Sequence, residues 1–397
     1  MKKFFVLILC LLMLTACSRQ ETEESFITPV SVDESEEETS VPETPKEVPY
    51  IYEPSANEKM RGVWISQYDI TSVWCSKDGQ TPVGDFASRI NDICLELKEK
   101  GYTDIFVQLR PFGDSFYPSR YFPPSAYAVG AYGSEFEYDP LSVFVSAAHT
   151  YGLKFHAWLN PFRLVEEKQL SLLPQDSIIS EYASEGKLSL YNGRYYLLPS
   201  DTDCRNLVLN GIREILENYE VDGIHFDDYF YPTKDESFDA ADFSESQSND
   251  LYEWRRENIS TFVKEVYNLV KSIDSDCVFG IAPSGNLKYT YETCCTDVYK
   301  WCSEEGYVDY IMPQIYFGYY HETAPFLPIA DNWMSLVKTS SVKLYIGLSA
   351  YKRGTEDANA GTGKNEWLEN PDLINEQAKD CIDYTDGYVM FSYSYID

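Results

Sequence analysis

Eight short runs rich in β-branched and aromatic residues recur along the chain, at 61–68, 104–110, 154–160, 223–228, 278–283, 310–316, 343–349 and 387–393. Longer amphipathic segments at 87–100, 141–151, 205–219, 254–273 and 373–384 lie between them. Strand-length apolar runs separated by helix-length periodic segments mark parallel βα units. The runs are almost continuously apolar, as strands buried on both faces must be. Eight of them fit a (β/α)8 TIM barrel, α/β in class, better than a doubly wound open sheet.

The 397-residue chain leaves a long extension ahead of the barrel. It opens with Lys2 and Lys3, an apolar stretch, and then Leu14-Thr-Ala-Cys17, the order of a secretory signal peptide. The apolar stretch is too short to cross a bilayer core of about 30 Å, which takes roughly 20 helical residues. Its last four residues resemble a lipobox. That resemblance implies cleavage before Cys17, lipid on its sulfur, and a lipoprotein held outside the cytoplasm on a bacterial cell membrane. Residues 18–58 hold 12 acidic and two basic residues with much Ser, Thr and Pro. Such a segment buries too little apolar surface to offset chain entropy. The expected organisation is a signal peptide over 1–16, a disordered acidic linker over 17–58 and the barrel over 59–397.

The formal net charge is −32, of which −24 falls on residues 59–397. Binding to nucleic acid or to anionic lipid through a basic face is excluded, because both need clustered Lys and Arg. A monomer is expected. Ten cysteines fall to eight once Cys10 leaves with the signal and Cys17 takes lipid. They show no CxxC spacing and read as buried free thiols. The four histidines form neither HxH nor HExxH, so no metal is expected. No GxSxG, P-loop or strand-linked GxGxxG occurs, so no cofactor is expected either.

A TIM barrel carries its active site at the C-terminal ends of its strands. The polar and aromatic residues there are Gln67, Tyr68 and Asp69 after run one, Gln108, Arg110 and Asp114 after run two, and Trp158, Asn160 and Arg163 after run three. Run four reads Asp222-Gly-Ile-His-Phe-Asp-Asp-Tyr229, and Gln314 and Tyr316 follow run six. With a side-chain period of two, His225, Asp227 and Tyr229 share one strand face. Glycosidic hydrolysis needs two carboxyl groups flanking the bond, about 5 to 5.5 Å apart for retention or about 6.5 to 9.5 Å for inversion. Asp227 is the principal candidate, with Asp228 or Asp114 as catalytic partner and Asp69 a further acidic neighbour. Arg110 and His225 are expected to contact substrate and tune the charge of Asp227. Gln108, Asn160 and Gln314 would bond sugar hydroxyls or an N-acetyl group, and Trp158, Tyr229 and Tyr316 would stack or hydrogen-bond.

Several ordered motifs carry a resemblance. Arg61-Gly-Val-Trp-Ile65, Gln108-Leu-Arg-Pro-Phe-Gly-Asp114, Tyr138-Asp-Pro-Leu141, Trp158-Leu-Asn-Pro-Phe-Arg163, Val221-Asp-Gly-Ile-His-Phe-Asp-Asp228, Gly280-Ile-Ala-Pro-Ser-Gly285 and Val308-Asp-Tyr-Ile-Met-Pro-Gln314 resemble the glycosyl hydrolase-like family ten. The resemblance implies a barrel that cleaves glycosidic bonds in an N-acetylated cell-wall glycan, with peptidoglycan strands lacking stem peptides as the substrate class. Run four also resembles the DGxDxDxE strand of chitinase-like barrels, but Tyr229 stands where their catalytic Glu would. Leu197-Leu-Pro-Ser200 departs from the family's usual Leu-Asn-Pro-Gly. A glycan-binding surface lipoprotein without catalysis, and a hydrolase of another polysaccharide such as α-glucan, are the alternatives.

Overall fold

A computed structural model of the protein describes residues 50–56, 58–76, 79–227 and 230–396. The signal peptide, Cys17 and most of the linker lie outside the described residues, as do Asp228 and Tyr229.

Eight parallel strands close into a barrel: β1 (Met60–Ile65), β2 (Asp104–Arg110), β3 (Lys154–Leu159), β4 (Gly223–Phe226), β5 (Val278–Ile281), β6 (Tyr310–Ile311), β7 (Lys343–Leu348) and β8 (Gly387–Phe391). β8 pairs with β1, which joins the two ends of the sheet. The six longest helices among the described residues cover the outside: α1 (Val83–Glu99), α2 (Pro140–Thr150), α3 (Thr202–Asn218), α4 (Leu251–Ile273), α5 (Phe326–Leu336) and α6 (Leu373–Tyr384). Carboxylate caps start three of them. Asp139 accepts from Leu141 and Ser142 ahead of α2, Asp201 from Cys204 ahead of α3, and Asp250 from Tyr252 and Glu253 ahead of α4. Each supplies an acceptor to amide groups that have no partner within the helix.

Strands β5 and β6 stop sooner than their apolar runs, because Pro283 and Pro313 bring no N–H to the ladder. Beyond them only isolated bridges join Gln314 to Ser284 and to Gly347. After β3 the chain builds a three-stranded antiparallel sheet from Arg163–Glu166, Leu188–Tyr191 and Arg194–Leu197 on the rim. Asn192 (φ 47°) and Gly193 (φ 71°) turn its hairpin in the left-handed conformations that a two-residue loop requires.

The outer core lies between strands and helices. A separate inner core of Trp64, Phe106, Trp158, Ala282, Tyr310, Met312 and Val389 fills the barrel. Glycines make room for it: a Cβ added at Gly280 would lie 2.1 Å from the Tyr310 ring, and one at Gly223 would lie 2.2 Å from His156.

The folded body takes in residues that the sequence assigns to the linker. Tyr52 Oη donates to Asp386 Oδ2 at 2.6 Å and the Ser55 amide to Asp386 Oδ1 at 2.7 Å, and Tyr50 and Tyr52 pack on the outer core. Aromatic rings with a buried carboxylate to bond recover enough free energy to order a polar segment. Every one of the eight cysteines from Cys75 to Cys381 is a free thiol, and all but Cys75 are buried.

Candidate active site

Asp227 directly follows β4, on the face it shares with His225, and is 4% exposed. The neighbouring strand β3 supplies two N–H donors to its Oδ2. The Asn160 amide donates from the end of β3, and Trp158 Nε1 donates at 3.2 Å. Gln108 on β2 in turn donates to Asn160 Oδ1 at 2.7 Å, and the Gln67 backbone amide beyond β1 donates to Gln108 Oε1 at 3.3 Å. A chain of amides thus runs across the ends of four adjacent strands and terminates on one carboxylate. Two donors offset the cost of withdrawing that carboxylate from water and fix its orientation.

Three residues expected to contact sugar belong to the hydrogen-bond network that holds Asp227. Gln108, Trp158 and Asn160 are 4%, 5% and 1% exposed. Gln314 and Tyr316 are more open. Gln314 Nε2 donates to the Ala282 carbonyl at 2.7 Å, which sets the amide across β5 and β6. Tyr316 stacks on Phe391 at 6.0 Å between ring centroids and meets Tyr351 edge-on at 6.0 Å, forming an aromatic wall opposite the amide chain.

His225 does not reach the mouth. It is fully buried one step below Asp227, with Trp64 Nε1 donating to its Nε2 at 3.1 Å and Tyr310 Oη 3.0 Å from its Nδ1. Since Nε2 accepts, Nδ1 carries the proton and donates to Tyr310. Burial, and then the nearby His156, hold its pKa well below the usual histidine value, so the ring is neutral. Its place is in the barrel's inner packing, against Phe106 and Trp64.

Arg110 is displaced by a backbone irregularity. The β2–β3 register shifts between Gln108 and Arg110, which pairs Arg110 with outward-facing Leu159. The guanidinium lies over Phe122 at 4.4 Å, and a Cβ added to Gly211 of α3 would stand 2.9 Å from its Nη1. Burial lowers its pKa to about 10, which leaves it cationic at neutral pH behind the barrel wall. The strand-end rule alone would put it at the mouth.

Asp114 turns back into its own loop. Its Oδ1 accepts from the Phe112 amide at 3.0 Å and Ser125 bonds its carboxyl, while burial raises its pKa. Asp69 accepts from the Ser66 amide and hydroxyl, from Ser392 and from the Ser394 amide, tying β1 to the chain's end. Both carboxylates close loops.

The rim sheet brings Arg194, which motif reading missed, beside Arg163 of the strand-end set. Arg163 lies over the Phe112 ring at 4.9 Å and Arg194 over the same ring at 4.6 Å. The Asn192-Gly193 dipeptide, flanked by alternating Leu188-Ser-Leu-Tyr191 and Arg194-Tyr-Tyr-Leu197, was the sequence signal for this hairpin.

Residues 59–362 match the family Glycosyl hydrolase-like 10. The chain is 31% identical over 327 residues to glycosyl hydrolase YngK of Bacillus subtilis, covering 77% of this chain and 63% of that protein. It is 27% identical over 384 residues to glycosyl hydrolase DigH of Escherichia coli K12, covering 86% of this chain and 84% of that protein. The fold is similar to the PgaB (BpsB) glycoside hydrolase domain of Bordetella bronchiseptica, with a TM-score of 0.56 at 11% identity over 85% of this chain and 95% of that one. An α-amylase from Geobacillus thermoleovorans shares the fold with a TM-score of 0.50 at 10% identity, over 87% and 72% of the two chains.

Proposed function

Because the chain belongs to the glycosyl hydrolase-like 10 family, we propose that it is an exported, lipid-anchored glycoside hydrolase of an N-acetylated cell-wall glycan, acting on peptidoglycan strands that lack stem peptides. The observation that carries this reading is Asp227, a carboxylate at the barrel mouth held by Asn160 and Trp158. A strand-end carboxylate in a fixed orientation suits attack on, or proton transfer at, an anomeric centre. Its neighbour Asp228 is the proposed second carboxyl group, since Asp114 and Asp69 are engaged in loop closure. The Tyr316, Phe391 and Tyr351 wall supplies flat apolar faces for sugar rings. Anchoring through Cys17 would keep the mouth near the wall polymer.

The test is incubation of the full-length chain with purified glycan strands, with and without stem peptides, reading products by mass spectrometry. Cleavage of stripped strands by wild type, and none by a folded Asp227→Asn variant, is the expected result. Full turnover by Asp227→Asn would remove the residue from the chemistry. Binding without any product would favour a glycan-binding lipoprotein, and release from α-glucan alone would move the substrate class.

A further inference from the structure

The partly exposed rings of Tyr316, Tyr351 and Phe391 come from three strand ends and carry no charge. Phe391 ends β8 and Asp227 follows β4, and these two strands lie four apart either way round the closed sheet. The wall and the carboxylate therefore stand on opposite sides of the mouth. They rest on one packed layer. Trp64 meets Phe391 edge-on at 6.0 Å between centroids and donates to His225 Nε2 at 3.1 Å, while Trp158 packs against the same His225 and donates to Asp227.

The barrel ladder stops short of the wall's first ring. β6 ends at Ile311, so Tyr316 stands five residues past it, and Tyr351 stands three past the end of β7. Below them the Ile315 amide reaches the Gly347 carbonyl at 3.0 Å. At the wall itself a side chain makes a link. Lys352, next to Tyr351 in the short turn Ala350–Lys352, donates from Nζ to the Tyr316 carbonyl at 2.7 Å and to Asp357 Oδ2 at 2.6 Å. Asp357 is fixed in turn, since its Oδ1 accepts from the Asn359 amide at 3.2 Å and its own amide donates to the Lys364 carbonyl at 2.8 Å. Farther along this loop Glu366 accepts from the Tyr319 and Tyr320 amides, each at 2.9 Å. The loop after β7 thus grips the backbone after β6 at two places, and Lys352 is the grip that acts on a wall residue.

The Lys352 and Asp357 side chains are 17% and 6% exposed. Attraction between two such charges is largely offset by the cost of taking them out of water, so the pair adds little net stability over an apolar pair of similar volume. What it adds is direction. The ammonium bonds two oxygens at once, one of them on the backbone that carries the Tyr316 ring, whereas an apolar side chain would let that backbone shift. A binding site works only if its groups are kept within about 0.5 Å and 10–20° of the productive geometry.

We infer that Lys352, neutralised by Asp357, is a positioning residue of the glycan site: it sets Tyr316 against Tyr351 and Phe391 so that the three rings receive the apolar face of an uncharged N-acetyl sugar opposite Asp227. The inference rests on the reading of the chain as a glycan hydrolase and deepens it. Lys352 acts on the glycan through the Tyr316 ring, without touching the sugar.

The test reads the affinity of the full-length Asp227→Asn protein for stripped glycan strands, and product formation by wild type. Lys352→Met is combined with Asp357→Asn, which removes both charges and keeps an oxygen for the Asn359 amide, so no unpaired charge is left in the loop. The combined change should weaken binding about tenfold. On a Tyr316→Ala background, where the carbonyl remains and the ring is gone, the same change should cost less than twofold. In protein that retains Asp227 the loss should appear as a higher KM at constant kcat.

Unchanged affinity and KM overturn the inference, even with a lower urea midpoint, because that is the result of a purely structural tie. A loss of equal size on both backgrounds overturns it as well. The expected binding pattern without cleavage by wild type upholds the positioning role and overturns the hydrolase reading alone. No binding by the Asp227→Asn protein together with no product from wild type overturns both.

Discussion

Asn160 carries more of the site than its neutral side chain suggests. It donates to Asp227 and accepts from Gln108, so its loss frees the carboxylate to rotate and breaks the amide chain at its centre. Asn160→Ala should lower kcat about 100-fold with little change in KM, because a misaligned reacting group costs orientation rather than affinity. A rise in KM at constant kcat would instead make Asn160 a sugar contact, as its position at a strand end first implies. Asp114 offers the opposite case. Asp114→Asn keeps an oxygen for the Phe112 amide and should retain turnover, whereas Asp114→Ala leaves that amide unpaired and should cost about 1 to 3 kcal/mol in urea unfolding. Loss of turnover in a stable Asp114→Asn protein would restore it as the second carboxyl group. Asp227 was legible in sequence because period-two alternation points it into the mouth with His225. How deep each residue sits was not legible: alternation gives a face but no height along the barrel axis, so His225 was expected in the mouth and lies beneath it.

At the scale of elements, the strand runs were readable because burial on both faces leaves few polar interruptions. β2 falls on 104–110 as its apolar run does, and α6 on 373–384 as its periodicity does. Irregularities escaped because they have no periodic signature. The register shift that sends Arg110 outward depends on pairing with β3, a long-range contact that composition along β2 does not encode. The rim hairpin left a turn signal in Asn192-Gly193, yet it lies between βα units and breaks their rhythm. The strand glycines have a clearer logic, since Gly280 admits the ring of Tyr310, whose hydroxyl accepts a hydrogen bond from His225. Gly280→Ala would overpack the barrel and should destabilise it by about 1 to 3 kcal/mol, measured as a lower urea midpoint at constant m. An unchanged midpoint would mean that Tyr310 can vacate this space, and that the inner packing is looser than its geometry shows.

At the scale of the whole molecule, the barrel is sealed where β8 meets β1, and Asp386 sits just ahead of β8. Its carboxylate is 1% exposed and accepts from the Leu344 amide at 3.0 Å as well as from Tyr52 and the Ser55 amide. One residue of the closing seam thus ties β7 to a segment that composition places in a polar tether. Composition misjudged this segment because acidic, Ser- and Pro-rich sequence gives no hint of a buried acceptor more than 300 residues away. Burying Asp386 without these donors would leave a carboxylate short of hydrogen bonds, which costs more than the bonds themselves return. Tyr52→Phe removes one hydroxyl and keeps the ring, so packing on the outer core is preserved. It should lower stability by about 1.5 to 3 kcal/mol, the range for a hydrogen bond to a charged group. Tyr50→Phe, in a neighbouring ring that also packs on the core, should change it by less than about 0.5 kcal/mol. If both substitutions leave the urea midpoint unchanged, residues 50–56 are not part of the folded body in solution, and the barrel seals itself without them.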